Sequence, residues 1–284
     1  MHYIIVQYAK SFSQRFGKTF VSLHSDMSRP IVTLTTDWGN AGFFSGMVKG
    51  LLYSHIEDVQ VVDITHTMDA YNVMTATFVV RQACMGFPPG TIHIIDVATR
   101  QPFLCIKAHG QYFLCCDNGL PSMAFGNDIE DVRLLRVNSN SFLNFAAYSL
   151  FARVAVLLAR GTAMEELGEQ TQLAPRTMQN YVMQGDNYRI YVHYIDHYGN
   201  AYLGMSYKEF EEIRQGRPFV LSVRDQEVTE LTTGYYSQHT SSDPRYRLHL
   251  TVSATGMLEL AIKEGSLAQL VGLRVSESVL LRFK

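Results

Sequence analysis

The sequence predicts an α/β protein in two parts: an N-terminal α/β domain with a mainly parallel sheet, then a C-terminal β-barrel domain. Three observations carry this. Early in the chain, three short apolar runs each end in an aspartate: Ile31-Val-Thr-Leu-Thr-Thr-Asp37, Val59-Gln-Val-Val-Asp63 and Thr91-Ile-His-Ile-Ile-Asp96. Helix-period patterns lie between them, so the runs read as a β-α-β-α-β unit with parallel strands. Beyond about residue 170 the helical period gives way to strand after strand, which suits a small barrel or sandwich.

Taken in order, strand 31–36 passes into the turn Asp37-Trp-Gly-Asn40. A helix follows over 43–55, where Phe43, Phe44, Met47, Leu51 and Leu52 recur at three- and four-residue spacing. Strand 59–62 leads to a second helix over 71–85, stopped by Phe87-Pro-Pro-Gly90. After strand 91–96, the runs 103–108 and 112–116 flank His109-Gly110 as a β-hairpin. A third helix over 146–160 ends at Gly161, a suitable C-cap. The polar stretch 170–180 reads as a linker. Strands are then expected at 188–196, 218–224, 246–253, 258–263 and 278–283, with one short helix at 207–213. The domain bounds are accordingly 27–168 and 182–284, joined by 169–181. Residues 1–26 have no clean period and no signal-peptide pattern, and Met27 stands directly before the first strand. The expectation is that Met27 is the biological start; a peptide from residues 11–15 in the natively expressed protein would exclude it.

With 47% hydrophobic and 18% charged residues, the chain has the composition of a folded protein rather than a tail. A net charge of −2 without basic runs lacks the footprint of a nucleic-acid binder. No apolar stretch approaches the ~20 residues of a membrane helix. The four cysteines, Cys84, Cys105, Cys115 and Cys116, contain no CxxC pair and suit reduced, buried thiols of a cytoplasmic protein.

Open α/β sheets bind ligands outside the carboxyl ends of their strands, where Asp37, Asp63 and Asp96 are expected to project. An aspartate at Asp37 can accept both hydroxyls of a ribose, or simply close a turn. Asp63 and His66 flank a turn, where capping the next helix is the alternative. Asp96, followed by Arg100, could orient a water or be structural. Asp117-Asn-Gly119 reads as a turn. In Asp196-His-Tyr-Gly-Asn200 the glycine makes the turn, and Asp196 with Asn200 could hold an ammonium group. His193 and His197 lie four apart on a strand and turn, too far apart to share a metal. Gly-rich phosphate loops and a nucleophile elbow are missing.

Several segments together resemble one family. Ile31 to Gly39, Gly46-Met-Val-Lys-Gly50, Val61-Val-Asp-Ile-Thr-His66, Phe87-Pro-Pro-Gly-Thr-Ile-His93 and Asp117-Asn-Gly-Leu120 occur in its order. Tyr194-Ile-Asp-His-Tyr-Gly-Asn200 and Gly256-Met-Leu-Glu-Leu-Ala261 fit its barrel. This is the family of S-adenosylmethionine hydroxide adenosyltransferases, relatives of the fluorinating and chlorinating enzymes. The resemblance implies attack of water on the 5′ carbon of S-adenosylmethionine, giving adenosine and L-methionine, with no cofactor. It implies that Asp37 holds the ribose, that Asp196 and Asn200 hold the methionine end, and that Trp38 and Tyr198 are further substrate contacts. It also implies a homotrimer with the small-molecule site between subunits.

The sequence departs from the family where water would be activated. Hydrolytic members resemble Asp-Pro-Gly-Val-Gly-x-x-Arg-Arg and Phe-His-Gly-Arg-Asp, whose Asp, Arg and His form a triad. Here the first motif is Asp96-Val-Ala-Thr-Arg-Gln-Pro-Phe103, about one residue shorter, with Arg100 out of register. The second is Phe145-Ala-Ala-Tyr-Ser149, with Ala146 for the histidine and Tyr148 and Ser149 for the arginine and aspartate. Ala254 stands for a barrel serine. Three functions stay open: a hydrolase using Asp96 as base with Arg100 as helper, a non-catalytic S-adenosylmethionine- or adenosine-binding regulator, or a site remodelled for another ligand. The sequence carries no convincing halide-site loop.

Overall fold

A computed structural model describes residues 29–137, 144–232, 234 and 248–284. The expectation about Met27 and the first residues of the strand over 246–253 fall outside that range. The N-terminal sheet has seven strands: β1 (Ile31–Thr36), β2 (Gln60–Thr65), β3 (Ile92–Asp96), β4 (Phe103–Ala108), β5 (Gln111–Cys116), β6 (Ile129–Leu135) and β7 (Gly168–Gln170). Their order is β2-β1-β3-β5-β4-β6-β7. The first four in that order run parallel, and β4, β6 and β7 add antiparallel pairs at the other side.

Its central strands β1, β3, β4 and β5 are buried on both faces, which is why they read as near-continuous apolar runs, whereas the edge strand β2 is half-exposed. Alternation sends Ile94, Leu114 and Cys116 to the core beneath α1 (Phe44–His55) and α4 (Ala152–Ala159). Their neighbours Ile95, Phe113 and Cys115 join the opposite core, beneath α2 (Val73–Ala83) and α3 (Leu120–Phe125). All four cysteines are free and buried. The β4–β5 hairpin turns at His109 and Gly110, both at positive φ (52° and 69°), the pairing that a tight two-residue hairpin requires. Helix α4 is preceded by one π-helical turn, Ala147–Phe151. It ends at Gly161, whose N–H donates to Leu158 O across 2.9 Å.

After α5 (Met164–Leu167), residues 171–180 carry no regular structure. The second sheet contains β8 (Tyr181–Gln184), β9 (Asn187–Ile195), β10 (Ala201–Ser206), β11 (Phe219–Val223), β12 (Gln226–Val228), β13 (Leu248–Val252), β14 (Met257–Ile262) and β15 (Ser278–Phe283). Its path is β12-β11-β15-β9-β10-β14-β13, with β8 also on β9. Beyond β12 the chain bridges Leu231 to Leu250 on β13, so the sheet nearly closes into a barrel around Ile190, Leu203, Leu221, Leu258 and Leu281. Helix α6 (Tyr207–Arg214) opens with a reciprocal capping box between Ser206 and Glu209.

Two expectations need correction. The barrel has a second helix, α7 (Leu267–Val271), whose N-cap Ser266 accepts from Gln269 N; five residues show too little period to be read from sequence. Strand β2 does not end at Asp63. The β1–β2 register slips between Leu34 and Thr35, so β2 carries one extra residue and runs on to Thr65. Asp63 therefore sits within the strand and does not project beyond its end.

Candidate functional site

Asp37 follows β1 immediately, at the carboxyl edge of the sheet. Its Oδ2 accepts the N–H of Tyr71 (2.8 Å) and lies 3.4 Å from that of Ala98. Both donors are non-glycine residues in the left-handed region, at φ 64° and 47°. Such residues cost about 1 kcal/mol or more each unless their surroundings hold them. The carboxylate is thus a fastener between two loops as well as a candidate ligand group.

Asp96 closes β3 and is buried. Burial pushes its carboxyl up to about 6; the Thr99 hydroxyl beside it and the Trp38 N–H partly oppose this, and neighbouring Asp37 adds to it. Trp38 Nε1 donates to Asp96 Oδ2 across 3.1 Å. The Trp38 ring stacks on His66 and meets Phe145 edge-on. Asp63, displaced from the strand end, lies 2.6 Å from Lys49 Nζ and 3.2 Å from His66 Nε2. Burial raises the Asp63 carboxyl, but Lys49 and His66 outweigh it and hold the group below its ordinary value. Neither Asp63 nor His66 caps the next helix, whose N-cap is Asn72.

A cavity of about 280 Å3 opens beside Asp96. It is lined by Asp96, Thr99, Arg100, Phe103, Asn144 and Ala146, among others. The three positions that the motif comparison treats separately, Asp96, Arg100 and Ala146, therefore share one chamber. The π-helical turn begins directly after Ala146; such turns recur at functional sites.

Asp196, Tyr198 and Asn200 lie on the barrel, in the turn between β9 and β10. Asp196 Oδ1 accepts Asn200 N (2.9 Å) and its Oδ2 accepts Asn200 Nδ2 (3.1 Å). Gly199 sits at φ 83°, and a Cβ there would meet Ser266 Oγ at 2.0 Å, so the turn requires glycine. Tyr198 is 74% exposed. Asp196 lines a larger groove, about 870 Å3, between the barrel and the 64–83 segment, with Asp69, Phe78, Tyr194, Tyr202 and Arg274 on its walls. Among the described residues none borders both chambers: Asp96 and Arg100 line the first, with Trp38 and Asp37 beside Asp96, and Asp196 lines the second. His193 Nε2 contacts Gln179 O at 3.1 Å.

Sequence reading missed the contacts that join Lys49, Asp63, His66 and Trp38. The only signal for them was the Asp63-Ile-Thr-His66 segment. It also missed His93, fully buried on β3, whose Nδ1 lies 2.7 Å from Thr33 Oγ1 and Nε2 3.2 Å from Gln111 Oε1. Burial lowers its imidazole to about 4, against the Gln111 contact.

Asp96 and His93 pull stability in opposite directions over one pH window. The Asp96 contribution is complete below about 4 and lost as pH rises through 6. That of His93 is complete above about 6.5 and lost as pH falls through 4. Each is on the order of 3 kcal/mol, so they nearly cancel in the native chain. Asp96→Asn is expected to stabilise the protein at neutral pH by up to ~3 kcal/mol and to unmask a loss of that order on acidification toward pH 4. Chemical denaturation across that range checks it; unchanged stability at neutral pH would refute the burial cost.

A mainly parallel sheet with buried and half-buried carboxylates at its carboxyl edge, joined to a nearly closed antiparallel barrel, defines a two-part α/β architecture with room for small ligands. The chain belongs to the SAM hydroxide adenosyltransferase family. Residues 32–168 match the family model of the SAM hydroxide adenosyltransferase N-terminal domain, and 190–280 that of its C-terminal domain. The (R)-S-adenosyl-L-methionine hydrolase of Salinispora tropica is 26% identical over 259 residues, 86% of this chain and 94% of that protein. The protein of the same name from Methanocaldococcus jannaschii is 26% identical over 156 residues, 50% of this chain and 59% of its own length. A fluorinase of Actinopolyspora mzabensis shares 35% identity over 65 residues, 23% of this chain and 22% of the fluorinase. In fold, an uncharacterized conserved protein from Thermotoga maritima superposes with a TM-score of 0.76 at 21% identity, over 89% of this chain and 99% of that one.

Proposed function

We propose that this protein is an S-adenosyl-L-methionine hydrolase. Water attacks the 5′ carbon in line with the carbon–sulfur bond. The bonding pair leaves on sulfur, the sulfonium becomes the neutral thioether of L-methionine, and the lost proton passes to Asp96. The products are adenosine and L-methionine. A sulfonium leaves without protonation, so a placed water and a base suffice and no cofactor is required. The observation that carries the reading is Asp96 itself: a carboxylate with its pKa raised to about 6, lining with Arg100 a chamber at the carboxyl edge of the sheet. A base poised near working pH is the useful kind. Arg100 is its helper.

In the same reading Asp37 and Trp38 serve the adenosyl side, and Asp196, Tyr198 and Asn200 the methionine side. The separation of these two groups within one chain supports a site completed between subunits of a homotrimer. The exposed rings of Tyr71, Tyr198 and Phe43 offer flat surfaces for it. Four unpaired buried cysteines support a cytoplasmic location. Ala146, where the family carries histidine, favours a second reading: a protein that binds S-adenosylmethionine or adenosine without turning it over.

Calorimetric titration with S-adenosylmethionine, followed by chromatography of the same sample, separates the two. Binding with adenosine release supports the hydrolase, binding without release supports the regulator, and no binding excludes both. Asp37→Ala is expected to weaken ligand affinity more than tenfold, because a carboxylate bridging two hydroxyls contributes charge-assisted bonds of roughly 1.5–3 kcal/mol. Asp37→Ser, which keeps a small acceptor for the loop amides, serves as the folding control. A change under tenfold in both variants would remove Asp37 from the binding site.

A further inference from the structure

We propose that Trp38 is the positioning residue of Asp96, an assignment that rests on reading Asp96 as the base. Its indole N–H meets Asp96 Oδ2 at 3.1 Å, and the ring is braced on both sides. His66 stacks on it with centroids 5.7 Å apart and planes at 13°, while Phe145 stands edge-on at 4.9 Å. His66 is held in turn at Nδ1, 2.6 Å from Thr36 Oγ1, while its Nε2 lies 3.2 Å from Asp63 Oδ1 without a well-aligned hydrogen bond. Asp63 is anchored by Lys49 Nζ at 2.6 Å. A line of contacts therefore runs from a lysine on α1 through Asp63, His66 and Trp38 to Asp96. Only the last of these reaches the base. The others fix the plane of the indole, so that its single N–H stays on one carboxylate oxygen and the other oxygen remains to take a proton.

The chemistry of that contact sets its effect. A donor on the ionised carboxylate favours the charged, basic form, against the burial that disfavours it. The other charged or titratable groups around Asp96 are Asp37 beside it, Arg100 across the chamber, Cys116 on β5 and, behind the indole, His66. Without the indole donor, burial and Asp37 act unopposed by it, and more of the base is protonated at neutral pH.

Trp38 is the chain's only tryptophan, so a nitrogen–proton correlation spectrum contains a single indole resonance that reports on this contact directly. In the native protein that resonance is expected to titrate with a midpoint near 6 and to stop doing so in Asp96→Asn. Trp38→Phe keeps the ring packing and removes the donor. It is expected to move the acid limb of kcat/KM upward by about one pH unit, whatever change in KM accompanies the altered ring. An indole resonance that ignores pH, or that titrates unchanged in Asp96→Asn, would overturn the assignment. So would an acid limb that stays in place in Trp38→Phe. If the native protein releases no adenosine at any pH, the hydrolase reading falls, and the indole titration still decides whether Trp38 governs the ionisation of Asp96.

Discussion

Asp96→Asn is expected to reduce adenosine release from S-adenosylmethionine by ~10³-fold, within the usual contribution of a placed general base. Affinity should change by no more than about threefold, because the carboxamide has nearly the same shape and its oxygen still accepts the Trp38 N–H. If Asp96 is the base, as proposed, the same carboxylate also sets the pH profile, because only its ionised form accepts the proton and burial holds its pKa at about 6. Turnover should therefore fall about tenfold per pH unit below that value and level off above it. Single-turnover chromatography at several pH values measures both effects. A variant that retains more than a tenth of native turnover would show that the proton leaves by another route.

Ala146→His is expected to raise turnover by about a hundredfold. Ala146 is buried, and its methyl faces the same chamber of about 280 Å3 that Asp96 and Arg100 line. An imidazole fits that volume, and Asp96 is there to orient it, so the position regains a second group able to polarise water. An unchanged rate with unchanged affinity would mean that the shortened segment after Asp96 has moved the water as well. A lower rate with unchanged affinity would mean that the imidazole occupies the place of the attacking water. If neither the native chain nor the variant releases adenosine while both bind, the protein is the non-catalytic binder.

Much of the fold was legible because it rests on local rules. The three apolar runs that end in aspartate became β1, β2 and β3, and all three pair in parallel as a β-α-β-α-β unit demands. His109-Gly110 made its hairpin because both residues take positive φ. Gly161 capped its helix. What escaped included two strands of ordinary length, β6 with seven residues and β10 with six, besides elements that are short or depend on pairing. Strands β7 and β12 have three residues each, and α7 has five, too few to show a period. The misplacement of Asp63 came from one slipped register position between β1 and β2, a property of two strands together and of neither alone.

The candidate site divides along the same line. Asp37 and Asp96 were visible in the sequence because a strand end in a parallel sheet is a place, and a one-dimensional pattern can locate it. Asp196 and Asn200 were visible because a turn with an obligatory glycine holds them against each other. The sequence also showed that the family histidine is missing at Ala146. Tertiary structure alone decided that Asp96, Arg100 and Ala146 border one chamber, and that Trp38 turns its N–H toward Asp96. It alone put Tyr71 and Ala98 in the left-handed region on either side of Asp37. The reason is physical. Period and turn chemistry act over a few residues and are written in residue order. The direction of a side chain at a strand end, the dielectric around a carboxylate and the strain of a loop arise from segments that meet only when the chain has packed.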